Sequence, residues 1–467
     1  MKLLRILLRI LLRTVLVSAA LSAAQMPAHA ARPESDLPTT EAATLPANDE
    51  YRDDHQLLVM LRLPATHFRP DATYGGRYID DNSRNARQRR AEELARQHGL
   101  TLVEGWPMPM LGIDCYVMRY PDNVNADTLI AQLTGDPQVE WAQPVARFEG
   151  MAQAPSAAPA AGPVGAANAI DTAADLAGDP LYRVQPAARY WHVAELHHYT
   201  RGRDVKVAIV DSGIDASHPD LQGQLAMNDN FVDAGPTPPE NHGTAVAGII
   251  AARAGSGGIL GIAPQARLMG LRACWQQRDL ATRCNSFTLS KAINFAIQNG
   301  AQVINLSLSG PPDRLLDRLL DVALERGISV VGAIDPHATG AAFPASHHGV
   351  LAVASQPRTD LPRVNSDTSA AMTGQPPLLA PGNDIPTTAP GGRWTFVNGS
   401  SYAAAHVTGM LALLDELRPG ASPAQLRAML QSGATLHTAT IDACTAISRL
   451  VRDLSCARTL SQRGAAP

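Results

Sequence analysis

Three residues of the types used in nucleophilic hydrolysis stand at the ends of predicted secondary-structure elements. Asp211 closes an apolar run at residues 205–210, and His242 and Ser401 each open a segment rich in small residues. A serine becomes nucleophilic when a histidine takes its proton and a carboxylate orients that histidine. At a helix N-terminus, free backbone N–H groups also favour negative charge next to Ser401. The three residues predict acyl transfer through a serine.

The order of these residues matters because each one alone has a common structural explanation. An aspartate at a strand end often shapes a turn, and a serine at a helix start is often only an N-cap. The order Asp, His, Ser excludes the α/β-hydrolase arrangement, in which the serine precedes the acid and the histidine. The nearby His406 is expected to pack on the helix that carries Ser401, and Asp215 and Asp220 to shape loops.

The elements that must position these residues alternate between strand and helix along residues 179–435. The predicted strands cover 205–210, 268–273, 303–308, 328–333 and 350–354, and the predicted helices 242–252, 289–299, 313–326, 401–417 and 423–431. This alternation predicts an α/β fold with a doubly wound, mostly parallel sheet. Ligands of such sheets bind at the carboxyl ends of the strands, and we expect Asp211, His242 and Ser401 to lie there.

A smaller domain is predicted upstream, at residues 56–150. Its segments follow the order β-α-β-β-α-β, which describes a small α+β domain of the split βαβ type, with a last extended stretch at 139–148. Residues 31–55 are polar and Pro-rich and are predicted to be disordered. Residues 151–178, rich in Ala, Pro and Gly, are predicted to form a protease-accessible linker.

The N-terminus has the features of a signal peptide. Positive residues (Lys2, Arg5, Arg9, Arg13) precede an apolar run too short to span a bilayer, and Ala28-His29-Ala30 forms a cleavage site. We expect residues 1–30 to be removed and the protein to be secreted or periplasmic, without stable membrane insertion afterwards. Cleavage after Ala24, or an uncleaved amphipathic anchor, stay open as alternatives.

Composition and cysteine usage agree with an exported enzyme. A net charge of −4 gives no reason to expect nucleic acid as a partner. Four of the five cysteines form two pairs close in sequence, and an even count in an exported chain indicates disulfides. Short loops favour Cys274–Cys284 and Cys444–Cys456, the second within a C-terminal extension at 436–467. Unpaired buried thiols are the alternative, and Cys115 is the odd residue.

Asp211, His242 and Ser401 lie in three short motifs, at residues 207–215, 241–248 and 398–409. In this order, the motifs resemble those of the subtilisin-like (subtilase) serine proteases. The resemblance covers about residues 179–433 and includes Gly261-Ile262-Ala263-Pro264 and Leu379-Ala380-Pro381-Gly382. It implies that Asp211 orients, that His242 is general base and then acid, and that Ser401 attacks the scissile carbonyl. It also implies that Ser307, Leu308, Ser309 and Gly310 pair with a polypeptide substrate. Residues 56–150 resemble the family's inhibitor-type propeptide, which makes the chain's own propeptide an intramolecular inhibitor.

The chain departs from the family at several positions. Ala245 and Ala405 replace a histidine and a proline, and the loop at 253–258 lacks the usual asparagine ligand for calcium. We therefore expect no metal or cofactor, although Asp220 leaves calcium binding open. The main departure is the oxyanion-hole asparagine, because no Asn occurs between residues 306 and 364.

Asp335 is the nearest replacement for the missing asparagine. A carboxyl group donates a hydrogen bond only when protonated, and burial would raise its pKa and favour that form. The alternative is that Asp335 only caps a turn before Pro336. The sequence thus predicts a secreted, self-processing serine endopeptidase; the alternative is a weakly active or inactive scaffold that binds peptides.

Overall fold

The computed structural model describes residues 55–63, 76–152, 179–356, 376–431, 440–452 and 454. The predicted signal peptide, nearly all of the 31–55 segment and of the 151–178 linker, and most of the C-terminal extension lie outside these residues. The predicted domain boundaries therefore stay predictions.

The upstream region forms a four-stranded antiparallel sheet with two helices. In chain order its elements are β1 (Gln56–Arg62), α1 (Gly76–Gln97), β2 (Thr101–Met108), β3 (Ile113–Arg119), α2 (Ala126–Thr134) and β4 (Val139–Pro144). The strand order is β2-β3-β1-β4. Leu57 and Val59 of β1 pack with the helices, and Leu58 and Met60 face the large domain. Both faces of the sheet are buried, which explains the unbroken apolar sequence of β1.

The predicted extended stretch at 139–148 is divided, which corrects the prediction. β4 ends at Pro144, and β5 (Arg147–Gly150) belongs to a different sheet. Phe148 in β5 is fully buried against the large domain. The apolar anchor at Phe148 and free strand edges in the large domain account for the separation.

The large domain contains the remaining elements. These are α3 (Pro186–Trp191), α4 (Val193–Leu196), β6 (Lys206–Asp211), β7 (Leu225–Asn230), α5 (Asn241–Ala251), β8 (Arg267–Arg272), β9 (Cys274–Gln276), β10 (Thr282–Asn285), α6 (Ser286–Gln298), β11 (Val303–Leu306), β12 (Leu308–Ser309), α7 (Arg314–Glu325), β13 (Ser329–Ala333), β14 (Leu351–Ser355), β15 (Leu378–Ala380), β16 (Ile385–Ala389), β17 (Arg393–Val397), α8 (Ser400–Leu417), α9 (Pro423–Gln431) and α10 (Ala443–Ser448). Seven strands form one sheet in the order β15-β14-β13-β11-β6-β8-β7, and all neighbours are parallel. The predicted doubly wound parallel sheet is confirmed.

Helices cover both faces of the seven-stranded sheet. Val207 and Ile209 of β6 pack in the layer that contains α5 and α8. Ala208 and Val210 pack in the opposite layer, with α6 and α7. Because side chains alternate along a strand, a sheet covered twice needs continuous apolar strands. This packing fixes the carboxyl end of β6, where Asp211 lies.

Several short strands were not predicted. β7, β9, β10, β16 and β17 carry polar or partly exposed residues, so they lack the apolar run of a central strand. The predicted strand at 303–308 divides at Ser307 into β11 and β12, because β12 pairs with β5 and not with the central sheet. Among the helices of the described residues, none combines the length and apolarity needed to cross a membrane.

Candidate active site

Asp211, His242 and Ser401 meet at the carboxyl edge of the parallel sheet. Asp211 ends β6, His242 lies in the first turn of α5 and Ser401 in the first turn of α8. His242 Nδ1 lies 2.7 Å from Asp211 Oδ1, and His242 Nε2 lies 2.9 Å from Ser401 Oγ. The three residues are exposed by only 2%, 4% and 0%. The structure thus brings together the three residues predicted from sequence, and His242 lies between Asp211 and Ser401 within hydrogen-bonding distance of both.

Glycines allow α5 to lie close enough for this contact. A Cβ on Gly243 would lie 2.2 Å from the backbone oxygen of Ser212, the residue after Asp211. A Cβ on Gly248 would lie 2.2 Å from Thr388 Oγ1, whose hydroxyl donates to the Thr244 carbonyl at 2.7 Å. The small residues after His242 therefore let α5 lie close to the β6 end and to β16, as expected from the sequence.

Ser401 is held by hydrogen bonds from the central sheet. The Ser307 hydroxyl donates to the Ser401 carbonyl at 2.9 Å, and Asn305 Nδ2 donates to the Ser307 oxygen at 2.9 Å. The Thr408 hydroxyl, two turns along α8, donates to Asn305 Oδ1 at 2.9 Å. Ser401 Oγ also lies 2.9 Å from the Ser307 carbonyl oxygen. Ser307, predicted to bind substrate, thus also supports the nucleophile. Sequence reasoning gave no role to Asn305 or Thr408, although a polar residue inside an apolar strand was a signal.

The predicted substrate-pairing strand is paired with the chain's own β5. Leu308 and Ser309 of β12 pair antiparallel with Gly150 and Glu149. On its other side, β5 pairs antiparallel with β10, from Arg283 to Asn285. The sheet order is β12-β5-β10-β9. The segment before the linker is therefore the inserted strand between two edges of the large domain, which is the binding mode of an extended peptide.

Met151 follows β5 and places its carbonyl group at Ser401. The Met151 N–H donates to the Ser307 carbonyl, and the Ser401 N–H donates to the Met151 carbonyl oxygen, both at 3.3 Å. A donor aimed at a carbonyl oxygen next to a serine hydroxyl is the geometry that stabilises an oxyanion. The backbone donor expected at the start of α8 is thus directed at a peptide carbonyl. Neither Met151 nor β5 was named as part of the site by sequence reasoning.

Phe148 and Gly150, two residues apart on the same face of β5, both fit tightly against the large domain. The Phe148 ring packs edge-on against Phe343, with centroids 5.5 Å apart, and a Cβ on Gly310 would lie 2.2 Å from the Phe148 ring. A Cβ on Gly150 would lie 3.0 Å from Thr282 Cβ and 3.3 Å from His242 Nε2. The site therefore accepts an aromatic side chain at one position and a residue without a side chain two positions later.

Asp335 lies in a turn beyond the end of β13. Its side chain is half-buried, and Oδ1 accepts the His337 backbone N–H at 2.8 Å. This hydrogen bond caps the turn before and after Pro336, which is the alternative role that the sequence left open for Asp335. The oxyanion role of Asp335 stays a prediction.

The cysteines follow the predicted local pairing where the structure describes them. Cys274 and Cys284 form a disulfide that joins β9 to β10, next to the β5 strand. Cys444 is disulfide-bonded, and Cys456 lies outside the described residues, so the predicted Cys444–Cys456 pairing is not tested. Cys115 is a buried free thiol in the upstream sheet, and burial raises its pKa.

The acidic residues near α5 have structural partners. Asp220 Oδ2 accepts from the Ile259 N–H at 3.1 Å and the Trp394 indole N–H at 2.8 Å, and Oδ1 accepts from the Ser256 hydroxyl at 2.7 Å. Asp215 Oδ2 accepts the Gly391 N–H at 2.8 Å. Both carboxylates organise loops, as expected.

Glu240 and Arg272 form a buried pair that sequence reasoning missed. Arg272 Nε donates to Glu240 Oε2 at 3.1 Å, and the same oxygen accepts the Gly213 N–H at 2.5 Å. Gly213 lies two residues after Asp211, and Glu240 lies two residues before His242. The pair therefore fixes the two loops that carry the acid and the base relative to one another.

His406 is buried on α8 and lies outside the triad. Its Nδ1 lies 2.7 Å from the Tyr402 carbonyl oxygen, and its ring packs edge-on against Trp191. Burial lowers the pKa of His406 to about 4, so the ring is neutral near pH 7. This contact pattern agrees with the packing role expected from the sequence.

Comparison with known proteins places these observations in context. A family model described as "Subtilase family" matches residues 202–453. The chain is 35% identical over 247 residues to Subtilisin E from Bacillus subtilis (strain 168), covering 50% of this chain and 61% of that protein. It is 35% identical over 244 residues to Subtilisin from Bacillus pumilus, covering 50% of this chain and 85% of that protein.

A solved structure has a related fold. Fervidolysin from Fervidobacterium pennivorans, described as a keratinolytic enzyme related to subtilisin, superposes with a TM-score of 0.62 at 20% identity. The match covers 84% of this chain and 61% of that one. The chain thus spans about three fifths of the length of several proteins it resembles.

Proposed function

Because this chain belongs to the subtilase family of serine proteases, we propose that it is a secreted serine endopeptidase that cuts its own precursor. The observation that carries the proposal is the Met151 carbonyl group, which accepts the Ser401 N–H at 3.3 Å while β5 pairs on both sides. The bond between Met151 and Ala152 is the one presented for cleavage.

The proposed reaction begins with proton transfer from Ser401 Oγ to His242 Nε2. The Oγ atom attacks the Met151 carbonyl carbon, Asp211 stabilises the imidazolium through Nδ1–H, and the Ser401 N–H stabilises the oxyanion. His242 then gives the proton to the Ala152 nitrogen, which leaves as a new N-terminus. Water, activated by His242, hydrolyses the acyl-enzyme.

Polypeptides are the proposed substrates, bound in the place of β5. An extended peptide would pair with β12 and β10 through its backbone, with side chains alternating between the two faces. Until the cut upstream domain leaves, it keeps this cleft filled. The upstream domain is thus proposed to be an intramolecular inhibitor, supported by a Ser401 that is 0% exposed with β5 in place.

Export is supported by the leader at residues 1–30 and by the Cys274–Cys284 disulfide, a bond typical of oxidising compartments. No cofactor enters the proposed reaction.

A fluorophosphonate probe tests the proposed function. We expect the mature enzyme to be labelled at Ser401, located by peptide mass spectrometry, and the Ser400→Ala variant to keep the label. The uncut precursor should react slowly because β5 covers Ser401. A mature protein that binds peptides but does not react with the probe would be a scaffold, and the proposal would fail.

A further inference from the structure

Two histidines and an aspartate outside the triad lie together beside the C-terminal half of α7. His347 and His348 belong to the loop between β13 and β14, and Asp321 lies on α7. His347 Nε2 is 3.2 Å from Asp321 Oδ1, and the two imidazole rings stack with centroids 4.6 Å apart. One ligand atom from each residue lies within 4.8 Å of the others. We propose that Asp321, His347 and His348 bind a divalent transition-metal ion, with Zn²⁺ as the representative.

The donor set selects this class of ion. Imidazole suits zinc, nickel and copper, whereas calcium and magnesium require oxygen ligands. Tetrahedral zinc, with bonds of about 2.0–2.1 Å, sets its ligands about 3.3 Å apart. His347 Nε2 and Asp321 Oδ1, 3.2 Å apart, already have that spacing. A ligand atom of His348 lies within 4.8 Å of the other two residues' ligand atoms, and rotation of this exposed ring would bring it closer. A fourth position is left for water.

The loop holds His347 in place before any ion binds. The His347 N–H donates to the Pro344 carbonyl at 3.0 Å, and the Val350 N–H donates to the His347 carbonyl at 3.1 Å. A Cβ on Gly349 would lie 2.2 Å from Leu324 Cδ1 of α7, so the loop lies directly on the helix. His347 is only 5% exposed at its side chain. Little conformational entropy is lost when such a residue binds an ion.

Binding at His347 Nε2 requires one local change. The ring proton would move to Nδ1, and the Gly349 N–H contact to Nδ1 would be given up. That contact is 3.4 Å long, so its loss is a small penalty. Asp317, one turn earlier on α7, interacts electrostatically with both histidines and adds negative charge beside the ion.

The ion would join α7 to the wall of the peptide cleft. Four residues before His347 in this loop, Phe343 forms reciprocal backbone hydrogen bonds with Gly310 at 2.9 and 3.0 Å and packs on Phe148. A metal bridge between Asp321 and the two histidines would restrict this wall. The proposed role is structural, and it does not depend on the proposed protease activity.

Calorimetric titration with Zn²⁺ tests the site. The protein is the Ser401→Ala precursor after treatment with a chelator, so that self-cleavage cannot interfere. We expect one equivalent to bind, and Zn²⁺ to raise the melting temperature. His348→Ala and Asp321→Asn should each weaken binding by at least about tenfold, because even outer-shell partners contribute that much. His337→Ala, at an exposed histidine ten residues earlier in the same loop, is the matched control and should bind as before.

Two results would overturn the proposal: no Zn²⁺ uptake by the precursor, or unchanged affinity in both His348→Ala and Asp321→Asn. The His348 side chain is exposed, so its removal does not endanger folding. If the His347–Asp321 contact is only an ion pair, Asp321→Asn lowers the melting temperature equally with and without Zn²⁺. That outcome would also reject the site.

Discussion

The candidate triad and the candidate oxyanion residue are positioned in different ways. His242, Asp211 and Ser401 lie at the ends of a helix, a buried strand and a second helix, and all three are almost fully buried. Asp335, the candidate oxyanion donor, lies in a turn after β13, and its carboxylate caps that turn. Core packing fixes the triad residues to within hydrogen-bonding distance, whereas one local hydrogen bond positions the Asp335 side chain. We therefore expect catalysis to depend steeply on the triad and weakly on Asp335.

The largest effect is expected from Asp211→Asn. The amide cannot hold His242 in the tautomer with Nδ1–H directed at residue 211, so Nε2 no longer accepts the Ser401 proton. We expect the self-cleavage rate constant to fall about 10⁴-fold. Gel densitometry of the precursor over time measures it, with Asp279→Asn as an exposed control. If the rate constant of Asp211→Asn decreased no more than that of Asp279→Asn, the proposed role of Asp211 in self-cleavage would be wrong.

A smaller effect is expected when the peptide strand itself is displaced. In Gly150→Leu the new side chain meets Thr282 and His242, because even a Cβ would lie 3.0 and 3.3 Å from their atoms. A misplacement of about 1 Å reduces rates about 10²-fold, and we expect a loss of this order in self-cleavage. The control variant Glu149→Leu introduces the same leucine one residue earlier, where the side chain is 63% exposed. This precursor should cleave itself at the normal rate. Equal rates for the two variants would contradict the strand's placement.

The difference between local and long-range contacts explains how much of the structure could be predicted from the sequence. At the start of the predicted helix 423–431, Ser422 and Gln425 form a capping-box pattern that depends only on local sequence. The structure contains both of its hydrogen bonds, at 2.9 and 3.3 Å. The apolar run of β6 likewise predicted a buried strand. By contrast, nothing local indicates that β5 leaves the upstream sheet, because its partners β10 and β12 lie more than 130 residues away. Asp321 lies 26 and 27 residues before the two histidines, a shorter separation that still leaves no local sequence pattern to join them.

Asp335→Asn tests the candidate oxyanion residue, whose side chain is positioned by a single local hydrogen bond. The amide oxygen can still accept the His337 N–H, so the turn is retained, and the amide nitrogen can donate at every pH. We expect kcat to rise up to about tenfold at neutral pH with nearly unchanged KM, less than the 10²–10³ attached to a well-placed donor. Peptide hydrolysis by the mature enzyme from pH 5 to 9 measures this. Equal or lower kcat throughout would leave the Ser401 N–H as the working donor.

The least effect on catalysis is expected at His406, which shares α8 with Ser401. Its folded pKa is lowered from 6.5 to about 4, so below pH 6.5 the unfolded chain binds a proton that the native chain does not. As the pH is lowered from about 6.5 to 4, the free energy of unfolding should therefore decrease, and this residue should account for about 3 kcal/mol of the decrease. His406→Gln should reduce that slope and leave kcat unchanged, while His198→Gln, at an exposed histidine, keeps the slope. Denaturant titrations of the Ser401→Ala precursor measure it, and an unaltered slope in His406→Gln would contradict the assignment.

The most direct measurement is the intact mass and N-terminal sequence of the precursor, starting at residue 31, after incubation without added protease. Since the Met151 carbonyl lies at the Ser401 N–H, we predict that the wild-type chain separates into two parts and that the new N-terminus is Ala152. The Ser401→Ala precursor should remain a single chain. An Ala152 N-terminus in the Ser401→Ala protein, or a first wild-type cut at any other bond, would contradict self-cleavage at this site.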